Sequence, residues 1–219
     1  MSSISGIIFD HDGTIINSVP QVIQVTLEVL EQFNFKAISE EQIRHSMVLA
    51  TKERLAHSAG CPEDLKLGAE MAEAWFKRAD QLELDHTVAY DGIHEMVSDV
   101  SKDFKLSVLS NNRGSLVRKI LRKQKLSQYF SIIFGEEDIS APKPDGRGVE
   151  SILRTWELEA HQVLFVGDSA SDIGAAKAVG CQTLGVCWGA HTREELEPME
   201  WDTLVDTVPQ AHLFLKSLV

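Results

Sequence analysis

Basic residues are in short supply: 21 lysines and arginines stand against 33 aspartates and glutamates, a formal net charge of -12. Gripping nucleic acid needs a basic face, so this balance excludes nucleic-acid binding as the main task. Cysteine is scarce as well. Cys61, Cys181 and Cys187 are odd in number, and their spacing forms neither a zinc pattern nor a disulfide framework. Cys181 and Cys187 flank an apolar run and read as small core residues. A reducing cytoplasm is the expected setting. No apolar run approaches a membrane-spanning length, so no membrane partner is expected. The opening Met1-Ser-Ser-Ile-Ser5 lacks a basic start and Asp10 interrupts the first apolar run, which argues against a secretory leader. Internal repeats and low-complexity stretches are missing too.

What is present suits a folded α/β protein. Hydrophobic residues make up 43% of the 219, enough for a real core, and charged residues 25%. Gly6-Ile-Ile-Phe9 is a short apolar run ending at Asp10, the signature of a buried parallel strand whose carboxyl end carries function. Four similar runs follow at 106–109, 131–134, 163–166 and 182–186. Helical patterns at 115–125, 148–156 and 170–179 alternate with them, which predicts a parallel sheet with helices on both faces. Ligands of such sheets bind at the carboxyl ends of the strands. Residues 18–90 break the alternation. They hold helical patterns only, at 19–33, 40–49, 52–59 and, after Pro62, 63–84. We read 18–90 as an inserted helical cap domain and 1–17 with 91–219 as the Rossmann-like core, restarting with a helix at 93–101.

Three polar clusters follow strand ends. Asp10-His-Asp-Gly-Thr14 places two carboxylates two residues apart, with Gly13 giving the chain freedom to turn. Such a pair suits a nucleophile beside an acid/base, or a magnesium site, although Asp and Gly are also ordinary turn residues. Ser110-Asn-Asn112 could donate to phosphate oxygens or simply cap the next helix. In Gly167-Asp-Ser-Ala-Ser-Asp172, Asp168 and Asp172 can approach one cation across a turn, or Asp168 or Ser169 can cap a helix. Lys143, between Pro142 and Pro144, is a cation on a stiff loop.

The order of these features resembles the four motifs of the haloacid dehalogenase superfamily, here FDHDGT, LSNN, PKP and VGDSASD, and the likeness spans essentially the whole chain. The helical insert after the first motif, with Ala175-Ala-Lys-Ala-Val-Gly180 and Gly185-Val-Cys-Trp-Gly189, is similar to the phosphoglycolate phosphatase and β-phosphoglucomutase branch. The resemblance implies a magnesium-dependent phosphatase acting on a small phosphorylated metabolite. Asp10 would be the nucleophile and Asp12 the general acid/base. Magnesium would be held by Asp10, the Asp12 carbonyl and Asp168 directly, with Asp172 either a ligand through water or a residue that orients the ligands from behind. Ser110, Asn111 and Lys143 would hold the phosphoryl oxygens. Lys143 and the metal would then offset the crowding of carboxylates against a dianion.

Two departures stand out. Relatives often carry a glycine-containing loop between the first cap helices, and this chain has Met47-Val-Leu-Ala-Thr-Lys52 there. Lys52 and Arg54 are the candidates to reach a substrate anion from the cap, against the alternative of a solvated helix face. His11 replaces the usual apolar residue between the two aspartates and is expected to face away from the metal. Competing functions are a sugar-phosphate mutase, a phosphonoacetaldehyde hydrolase using Lys52 as a Schiff base, and a non-catalytic phosphate sensor. Relatives of the second kind usually lack the acidic residue that Asp12 supplies, and the full set of acidic motif residues argues against the third.

Overall fold

The computed structural model describes residues 4–82 and 87–219. Its centre is β1 (Gly6–Phe9), every residue of which is buried. Around it run β4 (Lys105–Leu109), β5 (Ile132–Phe134), β6 (Val163–Gly167), β7 (Gln182–Val186) and β8 (Thr203–Val205), all parallel, in the order β5-β4-β1-β6-β7-β8. The expected parallel sheet is therefore present, extended by one strand.

Alternation of side chains along each strand gives the sheet two apolar faces. Ile7, Phe9, Val108 and Val166 point to one face, which is covered by α5 (Ile93–Val100), α6 (Gly114–Lys123) and α10 (Val208–Lys216). Ile8, Leu109 and Phe165 point to the other, which is covered by α7 (Arg147–Trp156) and α8 (Ala170–Val179). A short helix, α9 (Arg193–Leu196), lies between β7 and β8.

The register fixes where function can sit. Phe9 pairs with Val108 on one side and Val166 on the other. The loops that begin at Asp10, Ser110 and Asp168 therefore leave the sheet at the same edge, one strand apart.

The insert is joined to the core by a two-stranded antiparallel ribbon. β2 (Ile16–Asn17) leads out and β3 (Val88–Ala89) leads back, with Ile16 opposite Ala89. Between them are α1 (Val19–Gln32), α2 (Glu40–Ser46), α3 (Thr51–Ser58) and α4 (Leu65–Gln81). In α1, Val22, Val25 and Val29 recur at helical spacing and are buried, behind Pro20 in the first turn. The helix expected at 63–84 forms over Leu65–Gln81, with the Asp64 side chain accepting from the Leu67 amide as its cap. The last two residues of that expectation lie outside the described residues. Leu30, Ile43, Leu55, Met71 and Trp75 fill the apolar interior of the insert, which is continuous with the cluster on the Phe9 face of the sheet. Among the described residues no helix is long and apolar enough to cross a membrane.

Candidate active site

Behind β1 the chain turns sharply. The amides of Ile15 and Ile16 both donate to the His11 carbonyl, and Gly13 donates to the Ile16 carbonyl at 2.9 Å. Gly13 has φ +83°, a left-handed conformation that disfavours side chains, and a Cβ there would stand 2.3 Å from an oxygen of Asp168. Gly189 crowds the same carboxylate from the other side: a Cβ there would come within 2.1 Å. The Asp168 carboxylate is thus wedged between two glycines, and its Oδ2 accepts the Ala190 amide at 2.7 Å. Only glycine at both positions leaves room for it.

Asp172 opens α8. Its Oδ2 accepts both the amide and the hydroxyl of Ser169, at 3.0 and 2.6 Å, closing the helix start. Its Oδ1 accepts from the Lys143 ammonium at 2.6 Å, and that ammonium also contacts Asp10 Oδ1. The lysine is held by its backbone. Asn111 Nδ2 donates to the Lys143 carbonyl at 2.9 Å, while the Lys143 amide donates to Asn111 Oδ1 at 2.8 Å. Both polar atoms of the Asn111 side-chain amide are thereby committed to placing Lys143.

Asp12 Oδ2 lies 3.5 Å from the Ser110 hydroxyl, 3.3 Å from Asn112 Nδ2 and 3.2 Å from His11 Nδ1. The His11 ring is fully buried beside Asp12. Asp12 Oδ1 is buried without a partner. Asn112 was not singled out by its sequence, although it stands within the LSNN motif. The Ala190 amide carried no sequence signal, because its position depends on the loop after β7.

The electrostatics are those of crowded acid. Burial, then Asp172, pushes the Asp10 carboxyl well above the carboxylate range, against the pull of Lys143. Burial and Asp172 push Asp168 up to about 7. Burial alone would lower the basicity of Lys143, but Asp10 and Asp172 overcome it and raise the ammonium above its ordinary value. Asp12 goes the opposite way. Burial opposes its charge, yet the His11 ring, Ser18 and Asn112 together hold its carboxyl below the usual range. One ammonium therefore faces four carboxylates.

A divalent cation suits this arrangement. Asp10, Asp168 and Asp172 each offer a buried carboxylate oxygen, and the three lie within 4.8 Å of one another. An all-oxygen donor set matches a hard ion such as magnesium. The unrelieved repulsion at Asp10 and Asp168 is what such an ion would remove.

Asp10, Asp12, Ser110, Asn111, Lys143 and Asp168 all line one cleft of about 560 Å³, its open mouth included. The insert supplies the opposite wall, and Arg54 is part of it. Lys52 is not brought there. Its ammonium lies 3.9 Å from Glu136, half exposed, in a separate groove with Phe76 and Arg113.

A buried carboxylate cluster at the carboxyl edge of a parallel sheet, with a helical insert after the first strand, defines a class of hydrolase. The sequence pattern of the haloacid dehalogenase-like hydrolases matches residues 7–186, and the chain belongs to that family. Among curated relatives, the phosphoglycolate phosphatase of Pseudomonas savastanoi pv. phaseolicola is 30% identical, over 93% of this chain and 78% of its own length. The phosphoglycolate phosphatase of Vibrio parahaemolyticus is 26% identical over 93% of this chain and 92% of its own length. Among solved structures, a haloacid dehalogenase-like hydrolase of Streptococcus pneumoniae superposes with a TM-score of 0.85 over 98% of this chain and 99% of its own, at 18% identity.

Proposed function

We propose that this chain is a magnesium-dependent phosphatase that hydrolyses a small phosphomonoester through an aspartyl phosphate on Asp10. The observation that carries the reading is the buried set of Asp10, Lys143, Asp168 and Asp172 at the end of the central strand, with Asp12 two residues on. The phosphoglycolate phosphatase relatives support it.

Phosphoryl transfer asks mainly for positioning and for charge to offset the equatorial oxygens. Asp10 Oδ attacks phosphorus in line with the leaving oxygen. Lys143, held by Asn111 and paired with Asp10, presents positive charge beside the transferring group. Ser110, which lines the same cleft, donates to a phosphoryl oxygen. Asp10, the Asp12 carbonyl, Asp168 and Asp172 are the groups that would hold magnesium, which would supply positive charge against the phosphoryl oxygens. Asp12 stands as a carboxylate in the free protein, and an incoming dianion beside it favours proton uptake. It then gives that proton to the leaving oxygen, and as a carboxylate again it takes a proton from the water that splits the aspartyl phosphate. Residues 18–90 act as a cap on the ribbon β2–β3. Its contact with the core includes His45 with Glu195 at 2.7 Å and Lys119 with Asp80 at 2.8 Å. Closing it excludes water from the cleft.

Removal of the metal is the direct test. Protein stripped with chelator should release no nitrophenol from p-nitrophenyl phosphate above background, and magnesium should restore the rate. Full activity in rigorously metal-free protein would refute the proposal. Lys52 gives a contrasting expectation. As an exposed partner of Glu136, it should cost no more than about 1 kcal/mol of stability when replaced by alanine. Lys52→Ala should leave the kinetics of p-nitrophenyl phosphate and of a phosphorylated acid close to those of the parent. A borohydride-trapped adduct on Lys52 with phosphonoacetaldehyde would instead point to Schiff-base chemistry.

A further inference from the structure

The insert buries a positive charge that meets no counter-ion among the described residues. Arg54, in α3, is only 4% exposed. Nη1 donates to Thr26 Oγ1 of α1 at 2.9 Å. The guanidinium carbon stands 5.1 Å from the centre of the Trp75 ring in α4. These contacts fix the side chain without neutralising it, since a hydroxyl and an indole carry no formal charge. Among the described residues no carboxylate pairs with Arg54, and none besides Thr26 accepts a hydrogen bond from it. An isolated buried cation is costly unless something offsets it. Burial lowers its pKa to about 10, and the charge of Asp12 works against that fall, which places the two groups within reach of each other's field.

Its position makes the missing partner a ligand. Arg54 lines the same cleft as Asp10 and Lys143, from the opposite wall. The rest of that wall is sparse in polarity: Val22, Met47 and Leu49 are apolar, and Thr51 is the one other polar residue that the insert contributes. A substrate carrying several hydroxyls would leave them without partners there, which is unfavourable in a closed site. A substrate with a single planar anion at its far end would meet a guanidinium whose fork matches a carboxylate in geometry.

We propose that Arg54 is the specificity-determining residue of this site, binding a carboxylate on the non-reacting end of a short phosphorylated acid. The assignment rests on the phosphatase reading for the position of the phosphoryl group. It does not depend on turnover, so binding and catalysis can be tested apart.

The probes are 3-phosphonopropionate, which cannot be hydrolysed, and its uncharged amide, 3-phosphonopropionamide. Both are titrated calorimetrically into the whole chain in magnesium buffer. The parent should bind the acid about 10- to 100-fold more tightly than the amide, the range expected of a charge-assisted contact. In Arg54→Gln that ratio should fall to about one. Arg54→Lys, which keeps the charge and loses the fork, should retain part of it. Thermal melting checks that each variant folds. Should neither fold, the parent alone decides, because equal affinity for acid and amide, or no binding of either, overturns the assignment. An unchanged ratio in a folded Arg54→Gln overturns it too, as does tighter binding of a bisphosphonate than of the acid. Hydrolysis of p-nitrophenyl phosphate by the same parent preparation reports separately on the phosphatase reading. If that fails while the ratio still depends on Arg54, the catalytic assignment falls and the anion site stands.

Discussion

Asp10→Asn should reduce turnover of p-nitrophenyl phosphate by at least about 10⁴-fold, in line with the loss of a covalent nucleophile. The amide keeps the shape of the side chain and the contact with Lys143, but it cannot attack phosphorus. The fold should survive. Asp10 is buried at the end of β1 with its carboxyl raised by burial and by Asp172, so its charge is held at a cost in the metal-free protein. A group whose folded pKa is raised favours the neutral form on folding, and a neutral isostere removes that cost at neutral pH. Metal-free Asp10→Asn should therefore melt no lower than the metal-free parent. Magnesium binds the folded form, so it should raise the Tm of the parent and raise that of the variant less. A variant that retained a hundredth of the activity, or that still formed an acid-stable phosphoprotein, would remove Asp10 from the nucleophile's role.

Much of the core could be read in advance because buried parallel strands announce themselves. Each is a short apolar run with a turn behind it, and the runs at 106–109, 163–166 and 182–186 match observed strands within a residue at each end. The strand Thr203–Val205 was not foreseen. It has three residues, two of them only partly buried, so it offers too few positions for a pattern. The helix that follows, Val208–Lys216, was missed for a related reason. It opens with Pro209 and exposes Leu213, which blurs its apolar stripe. The ribbon β2–β3 has two residues a side, and Val88 in it is half exposed.

The site was legible for the same reason as the sheet. Asp10, Ser110 and Asp168 each come directly after a strand, and parallel strands deliver such residues to one edge. What stayed hidden depends on rotation and on loops. Lys52 and Arg54 are two residues apart, about 200° around a helix, so only one of them can face the cleft. Nothing in the local sequence says which. The choice is made by packing: Trp75 and Thr26 receive Arg54, and Glu136 receives Lys52. His11 was expected to face away from the metal. Its ring is fully buried with Nδ1 3.2 Å from Asp12 Oδ2, and it does not line the cleft that holds Asp10 and Lys143.

Asp12→Ala should separate the two chemical steps. As acid, Asp12 is needed in proportion to how poor the leaving group is. p-Nitrophenol departs readily as its anion, so phosphorylation of Asp10 by p-nitrophenyl phosphate should survive the substitution. Hydrolysis of the aspartyl phosphate gains nothing from the leaving group, because it needs a base for the attacking water. Loss of that base should slow the second step by about 10²- to 10⁴-fold. Rapid mixing should then show a burst of close to one nitrophenol per chain, followed by slow turnover. Acid quenching during the slow phase should recover phosphorylated protein. An alkyl phosphate, whose leaving oxygen needs a proton, should show no burst, since both steps are now impaired. The substitution is clean in structural terms. Asp12 Oδ2 is approached by Ser110, Asn112 and His11, whereas the group of Asp10, Lys143, Asp168 and Asp172 is held by contacts that do not include the Asp12 side chain. Linear release of nitrophenol with no trapped phosphoprotein would show that Asp12 is not the base of the second step. An equal loss on both substrates, again without a burst, would mean that its removal disturbs the attack by Asp10 itself.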